Sequence, residues 1–507
     1  MAGPQDQLAD ALEALKALQE AGRTAIRSRD LKRSHRERLV RGGFLSPVIK
    51  GWYVPARPDQ AADGETTAWY ASFWHFCAAY LEYRFGDQWC LSPDQSVLLH
   101  AGNQTVPTQL LVRSPRASNN ITELLHGTSI MELASDIPSA GHLELVDGLR
   151  VIKLPQALIQ SGPRLFTGYP VDARAALALV RDASEILPVL LEGGHSTVAG
   201  RLAGAFRNIG STRIADGIVK SMRAAGFTIA ETNPFEDQLA IAFHTRERSP
   251  GVHRIHAYWE SMRDVIIQSF PQPPVIPNDN EAYLKRVDDL YVTDAYHSLS
   301  IEGYRVTPEL IERVRRGNWS PDQLDTDLQH RDAMAARGYW LAFNEVRKSV
   351  EKVLNKENAG DVADHDHSDW YRALFGPSVE AGILKPADLA GYRNDQVYIR
   401  NSMHVPLKKE AILDCMPALF DHLREEEHPA VRTVLGHWIF VYIHPYMDGN
   451  GRMGRFLMNV MLASGGYPWT VVPVERRQEY LSALESASVS GSILPFAAFL
   501  GSLVRDQ

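Results

Sequence analysis

Cysteine is scarce in this sequence. Cys77, Cys90 and Cys415 are the only three in 507 residues. Their odd number and wide spacing exclude a disulfide framework and a thiolate metal cluster, and point to a reducing compartment. Long apolar runs are missing as well. The run "ILPFAAFLGSLV" near the end falls short of the roughly 20 residues that a membrane span needs. The opening "MAGPQDQLADALEAL" is acidic and amphipathic, unlike the apolar core of a signal peptide. No membrane role is expected, and the expected location is cytoplasmic. A net charge of -8 argues against a protein that coats nucleic acid along its whole length. What is present, 45% hydrophobic and 22% charged residues, suits an ordinary globular chain with a sizeable core, long enough for about three domains.

Charge is unevenly placed. Residues 21–57 hold ten Lys or Arg against Asp30 and Glu37, a net +8. Two or three short helices precede "GGFLSPVIKGWYVP", which reads as two short strands around a turn. Helices followed by a small wing predict a winged helix-turn-helix-like segment over 1–60, with DNA as a partner through residues 21–57. The alternative is a basic docking domain with solvated arginines. Residues 61–265 mix strand-like runs (Ser96–His100, Gln109–Val112, Leu143–Leu145, Val151–Ile152) with helical stretches, an α/β antitoxin-like or target-recruitment domain without a catalytic motif. His195, His244, His253 and His256 read as structural, because none has partners at ligand spacing. Four prolines crowd "PQPPVIP" and mark residues 266–277 as an extended linker. From 278 to 507 the pattern is almost wholly helical, with Asn278 or Asp279 as the first cap. Its one β-like piece is "GYRNDQVYIRNSMHVP", which alternates about Val397, Tyr398 and Ile399 and predicts a hairpin. The fold class expected is mainly α, with a β-hairpin flap, preceded by winged-helix-like and α/β parts.

One stretch carries unusual chemistry. "HPYMDGNGRMGR", residues 444–455, follows a helix that is apolar around most of its circumference. Pro445 makes a helix end at His444. Gly449 and Gly451 let successive backbone N–H groups turn inward as an anion nest, and a new helix from Arg452 adds its positive end to that nest. Arg452 and Arg455, three apart, suit a di- or triphosphate. Asp448 suits a phosphate-bound Mg²⁺, and His444 suits a general base. The reaction class is transfer of a phosphorus group from a nucleotide to an alcohol. A P-loop is excluded because Arg455 and Phe456 replace its Lys and Ser/Thr. A calcium loop is excluded because Arg452 and Asn459 stand where oxygen ligands belong.

The same stretch resembles the signature of Fic-domain enzymes, H-P-F-x-[DE]-G-N-G-R-x-x-R, with Tyr446 in place of the usual Phe. The resemblance extends over 278–505. It implies a helical fold and AMP transfer from ATP to a Ser, Thr or Tyr hydroxyl of a target protein. It implies that His444 deprotonates the hydroxyl and that Asp448 holds Mg²⁺. It further implies that Asn450 and the Gly449–Gly451 backbone bind phosphate, and that Arg452 and Arg455 clamp the β- and γ-phosphates. Residues 390–406 resemble the Fic flap, which pairs with an extended target segment. "RRQEYLSALESAS" resembles the stretch lining the adenine pocket, which assigns Tyr480 and Ser488 to it. Ser488 stands where many members carry Asn, which leaves another nucleotide open.

"SLSIEG" resembles the inhibitory motif [ST]-x-x-x-E-[GN] of this family. Ser298 and Glu302 share a helix face, and Gly303 follows as terminator. The helix 278–303 would then act as a brake: Glu302 pairs with Arg455 and denies it to the triphosphate. Residues 1–265 resemble the winged-helix antitoxins of the abortive-infection type through Gly43, Leu45, Gly51 and Tyr53. The alternative functions are a DNA-binding regulator, or a toxin-antitoxin-like protein whose Fic part mainly removes AMP or uses another nucleotide. Homo-oligomerisation is left open. The cluster "DVADHDHSDW" reads as a solvated acidic lead-in to a helix near Trp370, and His437 as a core residue.

Overall fold

The computed structural model describes residues 4–58, 65–237, 239–243, 249–274, 279–317 and 327–505. His244 and Asn278 lie outside them. Two compact units result. Residues 1–254 with 398–405 form the first, and 255–397 with 406–507 form the second.

The first unit begins with α1 (Pro4–Glu20), β1 (Ile26–Arg27), α2 (Arg33–Arg41), β2 (Leu45–Ile49) and β3 (Trp52–Pro55). The three strands form a sheet in the order β1-β3-β2. Gly51 turns the chain between the two longer strands, so Leu45 pairs with Pro55. The expected pair of strands is present, with β1 added at the edge of β3. Several of the basic residues are engaged within this unit. The Arg27 guanidinium lies over the rings of Trp52 and Tyr83 at 5.9 and 5.3 Å. Arg36 donates to Ser28 O at 2.8 Å, and Arg33 pairs with Glu37.

Next come α3 (Thr67–Phe85), β4 (Cys90–Leu91), α4 (Pro93–His100), β5 (Gln109–Ser114), β6 (Ile121–Glu123), β7 (Ser129–Ala134), β8 (Leu143–Val146) and β9 (Leu149–Ile152). The sheet order is β4-β5-β7-β6, with β5 parallel to β7. Ser96–His100, expected as a strand, is helical. Ser92 caps that helix through the Gln95 N–H and Pro93 opens its first turn, which favours a helix start over an extended run. The aromatic face of α3, with Trp69, Phe73 and Phe76 fully or almost fully buried, fills one core. Helices α5 (Leu154–Gln160), α6 (Arg164–Gly168), α7 (Pro170–Ala178), α8 (Leu187–Gly193), α9 (Ser196–Asn208) and α10 (Thr212–Ala224) enclose a second.

Residues 398–405 belong to the first unit by their packing. Val405 is buried in the α3 core, and Tyr398 and Met403 pack against it. Met403 O accepts from Val106 N–H at 2.9 Å. Asn401, at φ +56, accepts the Thr66 N–H through Oδ1 at 2.9 Å and donates its own N–H to Thr67 Oγ1 at 3.0 Å. Arg400 pairs with Glu65 at 2.8 Å.

The second unit is helical. The chain division falls inside α11 (Pro250–Ser269), and Pro271, Pro273 and Pro274 follow it without regular structure. The rest comprises α12 (Asn280–Ile301), α13 (Pro308–Arg315), α14 (Asp327–Leu354), α15 (Ala359–Glu380), α16 (Lys409–Glu425), α17 (Pro429–Ile443), α18 (Asn450–Ser464), α19 (Arg477–Ser490) and α20 (Leu494–Arg505). Asp279 caps α12 by accepting the Ala282 N–H at 2.8 Å. No described helix is long and apolar enough to cross a membrane.

Two expectations are corrected in this unit. The helix expected near Trp370 begins eleven residues earlier, at Ala359. Asn358 caps it by accepting the Gly360 and Asp361 N–H groups. Its acidic residues point to separate partners: Asp366 to Lys352 and Asp364 to Arg424. The segment 390–406 runs through bends and a turn at 400–401 and forms no strand ladder. Pro406 has no N–H to donate, and its carbonyl instead accepts the Gln396 side-chain amide at 2.9 Å.

Candidate active site

The site grows from the junction of α17 and α18. Almost all of α17 is buried, so it is a rigid support. Pro445 stops it, and His444 takes the left-handed conformation at its end (φ +55). This conformation is uncommon for a residue with a Cβ. His444 Nδ1 lies 3.1 Å from Val441 O. A carbonyl can only accept, so the proton sits on Nδ1 and Nε2 keeps its lone pair. Burial, with the nearby Arg393 cation, pushes the imidazole pKa down to about 4. The ring is neutral at neutral pH.

The loop is closed by its own residues. Tyr446 stacks on Tyr371 with ring centroids 3.7 Å apart, so the hydroxyl-bearing ring anchors the loop as a Phe would. Asn450 Oδ1 accepts the Tyr446 N–H at 2.9 Å, and its Nδ2 donates to Tyr446 O at 2.8 Å. Both ends of that buried amide bond Tyr446, so its side chain staples the loop, with a second Nδ2 N–H to spare. Gly449 caps α18 at φ +83. A Cβ there would be strained and would lie 2.8 Å from the Phe375 ring.

The two arginines diverge. Arg452, 1% exposed, sits against the rings of Tyr304 and Phe375 at 5.3 and 5.1 Å. It reaches Asp448 Oδ2 at 3.4 Å. It forms part of the wall of a cavity of about 460 Å³ whose lining also includes Arg331, Tyr371 and Asp448. Arg455 turns the other way, toward α12. It donates from Nε to Ser298 Oγ at 2.9 Å, and from Nη2 to Ser298 O at 3.0 Å and Glu302 Oε1 at 2.7 Å. Burial alone would raise the Glu302 pKa, but Arg455 and Arg452 hold it below the usual carboxylate range. The same Glu302 Oε1 would be 2.4 Å from a Cβ on Gly451. The carboxylate therefore sits against the N-terminal turn of α18, where the helix presents free N–H groups and its positive end.

Three contacts that the sequence did not disclose hold this arrangement. Arg477 Nε donates to Ile301 O at 2.7 Å and fixes the C-terminal end of α12, where the Gly303 N–H closes the turn onto Ser300 O. Tyr339 donates its hydroxyl to Asp294 on α12 at 2.7 Å, and burial raises the Asp294 carboxyl to about 6. Arg393 binds the His444 carbonyl at 2.8 Å. No local pattern signals these pairs, because their partners lie tens of residues away.

Residues 368–462 match the Fic/DOC family. The chain carries a Fic domain. Among its curated relatives is the protein adenylyltransferase Fic of Drosophila willistoni, 28% identical over 225 residues, 44% of this chain and 41% of that protein. The protein of the same name from Nematostella vectensis is 28% identical over 273 residues, 53% of this chain and 58% of that one. The chain spans about half the length of the curated relatives it matches. Among solved structures, residues 134–508 of Fic-1 from C. elegans align over 70% of this chain and 93% of that chain, at 17% identity and a TM-score of 0.37. A Fic domain containing signaling protein from Bacteroides thetaiotaomicron aligns over 50% of this chain and 93% of that chain, at 19% identity and a TM-score of 0.33.

Tyr480 and Ser488, expected in the adenine pocket, both bond to residues of α17. The Tyr480 hydroxyl bonds His437 Nε2 at 2.8 Å. Ser488 Oγ accepts from Trp438 Nε1 at 3.0 Å. Both hydroxyls are committed to α17, because a buried indole or imidazole needs a partner. His437 is a core residue, its pKa lowered by burial to about 3. Val397 and Ile399 are half-buried, in a segment without regular structure. Asp448 has a single carboxylate with a side chain 67% exposed. No cluster of three potential metal ligands occurs among the described residues.

Proposed function

We propose that this chain is a nucleotidyltransferase that moves AMP from ATP to a Ser, Thr or Tyr hydroxyl of a protein, and that Glu302 restrains it. The observation that carries this reading is the seat of Glu302. Its carboxylate is bonded to Arg455 at 2.7 Å and lies against Gly451, as a phosphate oxygen would lie in the same nest. An anion site held by an internal anion accounts for both arginines, both glycines and the inhibitory helix together.

In the reaction, the target hydroxyl oxygen attacks the α-phosphorus of ATP. Its proton passes to His444 Nε2, the α–β phosphoanhydride bond breaks, and pyrophosphate leaves. The N-terminal turn of α18 from Gly449 to Gly451, with Arg452 and Arg455, stabilises the charge on the phosphates. Asp448 fits Mg²⁺, which takes one or two carboxylates plus phosphate oxygens and would neutralise phosphate charge when bound. Residues Val397–Ile399 would receive a target segment by strand addition. In the resting state Glu302 removes Arg455 and places negative charge where the γ-phosphate belongs, and ATP then has no productive seat.

Labelling with α-labelled ATP tests this. The Glu302→Gly chain should label itself or a target strongly, and His444→Ala in the same background should label nothing. Equal labelling by both would make the assignment of base and brake wrong. A second reading, removal of AMP from a modified protein, draws on the same geometry: Glu302 is about a third exposed at 32% and so could orient water. Incubation of an AMP-modified target should then release AMP with the wild type and not with Glu302→Gly.

A further inference from the structure

Arg393 is a buried cation, 4% exposed, that spends its guanidinium on backbone carbonyls. Nε donates to His444 O at 2.8 Å and Nη1 to Asp395 O at 2.8 Å, while Nη2 donates to Leu407 O. Its own backbone N–H donates to Pro445 O at 2.8 Å. None of these acceptors is a carboxylate; the Asp395 and Glu410 carboxylates offset only part of the desolvation of the charge. Burial pushes its pKa down to about 10, which still leaves it charged at neutral pH.

The acceptors come from three stretches of chain. Asp395 and Leu407 are the two sides of the flap base. His444 and Pro445 are the start of the loop that bears the general base. His444 itself sits at φ +55, a conformation that persists only when its surroundings hold it. The rigid planar fork of an Arg can fix several carbonyls at once, which a Lys cannot.

We propose that Arg393 is a positioning residue: it holds His444 in its left-handed conformation and fixes the base of the flap to the catalytic loop. This rests on the transfer reading above. Arg393 touches neither phosphate nor acceptor in this role. It acts through the carbonyl of His444, so that Nε2 and the two sides of the flap base keep one geometry. The charged groups that face the His444 ring are Arg393 from the flap base, Glu302 from the end of α12 and Asp448 from the loop. Arg393 lowers the imidazole pKa and the two carboxylates raise it.

The test uses the full chain in the Glu302→Gly background, with Arg393→Lys and Arg393→Met. A misplacement of about 1 Å costs on the order of 100-fold in rate. Both variants should therefore lose about that factor in kcat for labelling, with the KM for ATP changed less than about twofold. A second readout needs no reaction. In chains labelled with ¹³C at histidine Cε1, the His444 resonance, assigned by His444→Gln, should shift in both variants. Its titration midpoint should rise in Arg393→Met and stay near that of the background in Arg393→Lys, which keeps the charge. An active Arg393→Lys, or a loss that falls on the KM for ATP, would overturn the proposal. So would a His444 resonance unmoved in both variants, whether or not the background chain labels anything. If the resonance moves as expected while the background chain transfers no AMP, the positioning role stands and the transfer reading fails.

Discussion

Glu302 and Arg455 are 153 residues apart in sequence and 2.7 Å apart in space. The glutamate is 32% exposed by side chain and the arginine only 4%. The pair is asymmetric: the carboxylate can leave toward solvent, whereas the guanidinium stays, held by Ser298 whatever the carboxylate does. That is the geometry of a contested cation.

Replacing Glu302 by Gln should leave the fold intact and the arginine half-partnered. The variant should melt lower than wild type, because a buried guanidinium has lost its counter-charge. A non-hydrolysable ATP analogue should restore the loss. At a hundredfold excess over Kd, binding stabilises by about 2.7 kcal/mol. Thermal melts with and without the analogue check this, and the shift should be larger in Glu302→Gln than in wild type.

Acid should loosen the brake. Glu302 has a folded pKa below its ordinary value, so its pairing stabilises the chain above the ordinary carboxylate pKa and is lost as pH falls through the lowered one. Protein stability, followed by urea unfolding across that window, should fall less steeply in Glu302→Gln than in wild type.

His444 gives the activity its own pH signature. A histidine held at about 4 stays neutral far below its ordinary pKa. The labelling rate of Glu302→Gly, measured as initial rates, should therefore remain level from neutrality down through pH 6 and fall only toward about 4. A limb centred near 6.5 would mean that the imidazole is hydrated and not the group described. The same depressed pKa contributes stability that is present above 6.5 and lost as pH falls toward 4.

Asn450→Ala should destabilise the second unit by about 2 kcal/mol, since both hydrogen bonds to Tyr446 are lost and its N–H and carbonyl lose their partner. Urea unfolding measures it. The Asp substitution keeps the acceptor but sets a buried carboxylate oxygen against the Tyr446 carbonyl, and should cost at least as much.

Arg477→Gln should weaken the proposed restraint by Glu302 at its support. The contact at Ile301 O fixes the end of α12, and a charged donor there contributes about 1 kcal/mol. Labelling by this variant should rise roughly fivefold over wild type, well short of Glu302→Gly.

Much of the site was legible in the chain's order alone. Residues 444–455 are contiguous, so their polar groups, glycines and the helix break at Pro445 could be read together. Ser298, Glu302 and Gly303 carry their own spacing. The paired strands at Leu45 and Pro55 follow from alternation around Gly51. These are local facts, fixed by steric limits on single residues and by periodicity. Tertiary structure decided how the same residues are used. It turned Arg452 and Arg455 in opposite directions, because one packs among rings and the other meets α12. It spent Asn450 on Tyr446, and Tyr480 and Ser488 on the support of α17, because buried polar atoms take whichever partner lies nearest. It drew residues 398–405 into the first unit and replaced the expected ladder with side-chain bonds from Arg393 and Gln396. The chemistry was written locally. Which hydrogen-bond partner each group keeps depends on burial and on chain segments far away, and those exist only once the chain has folded.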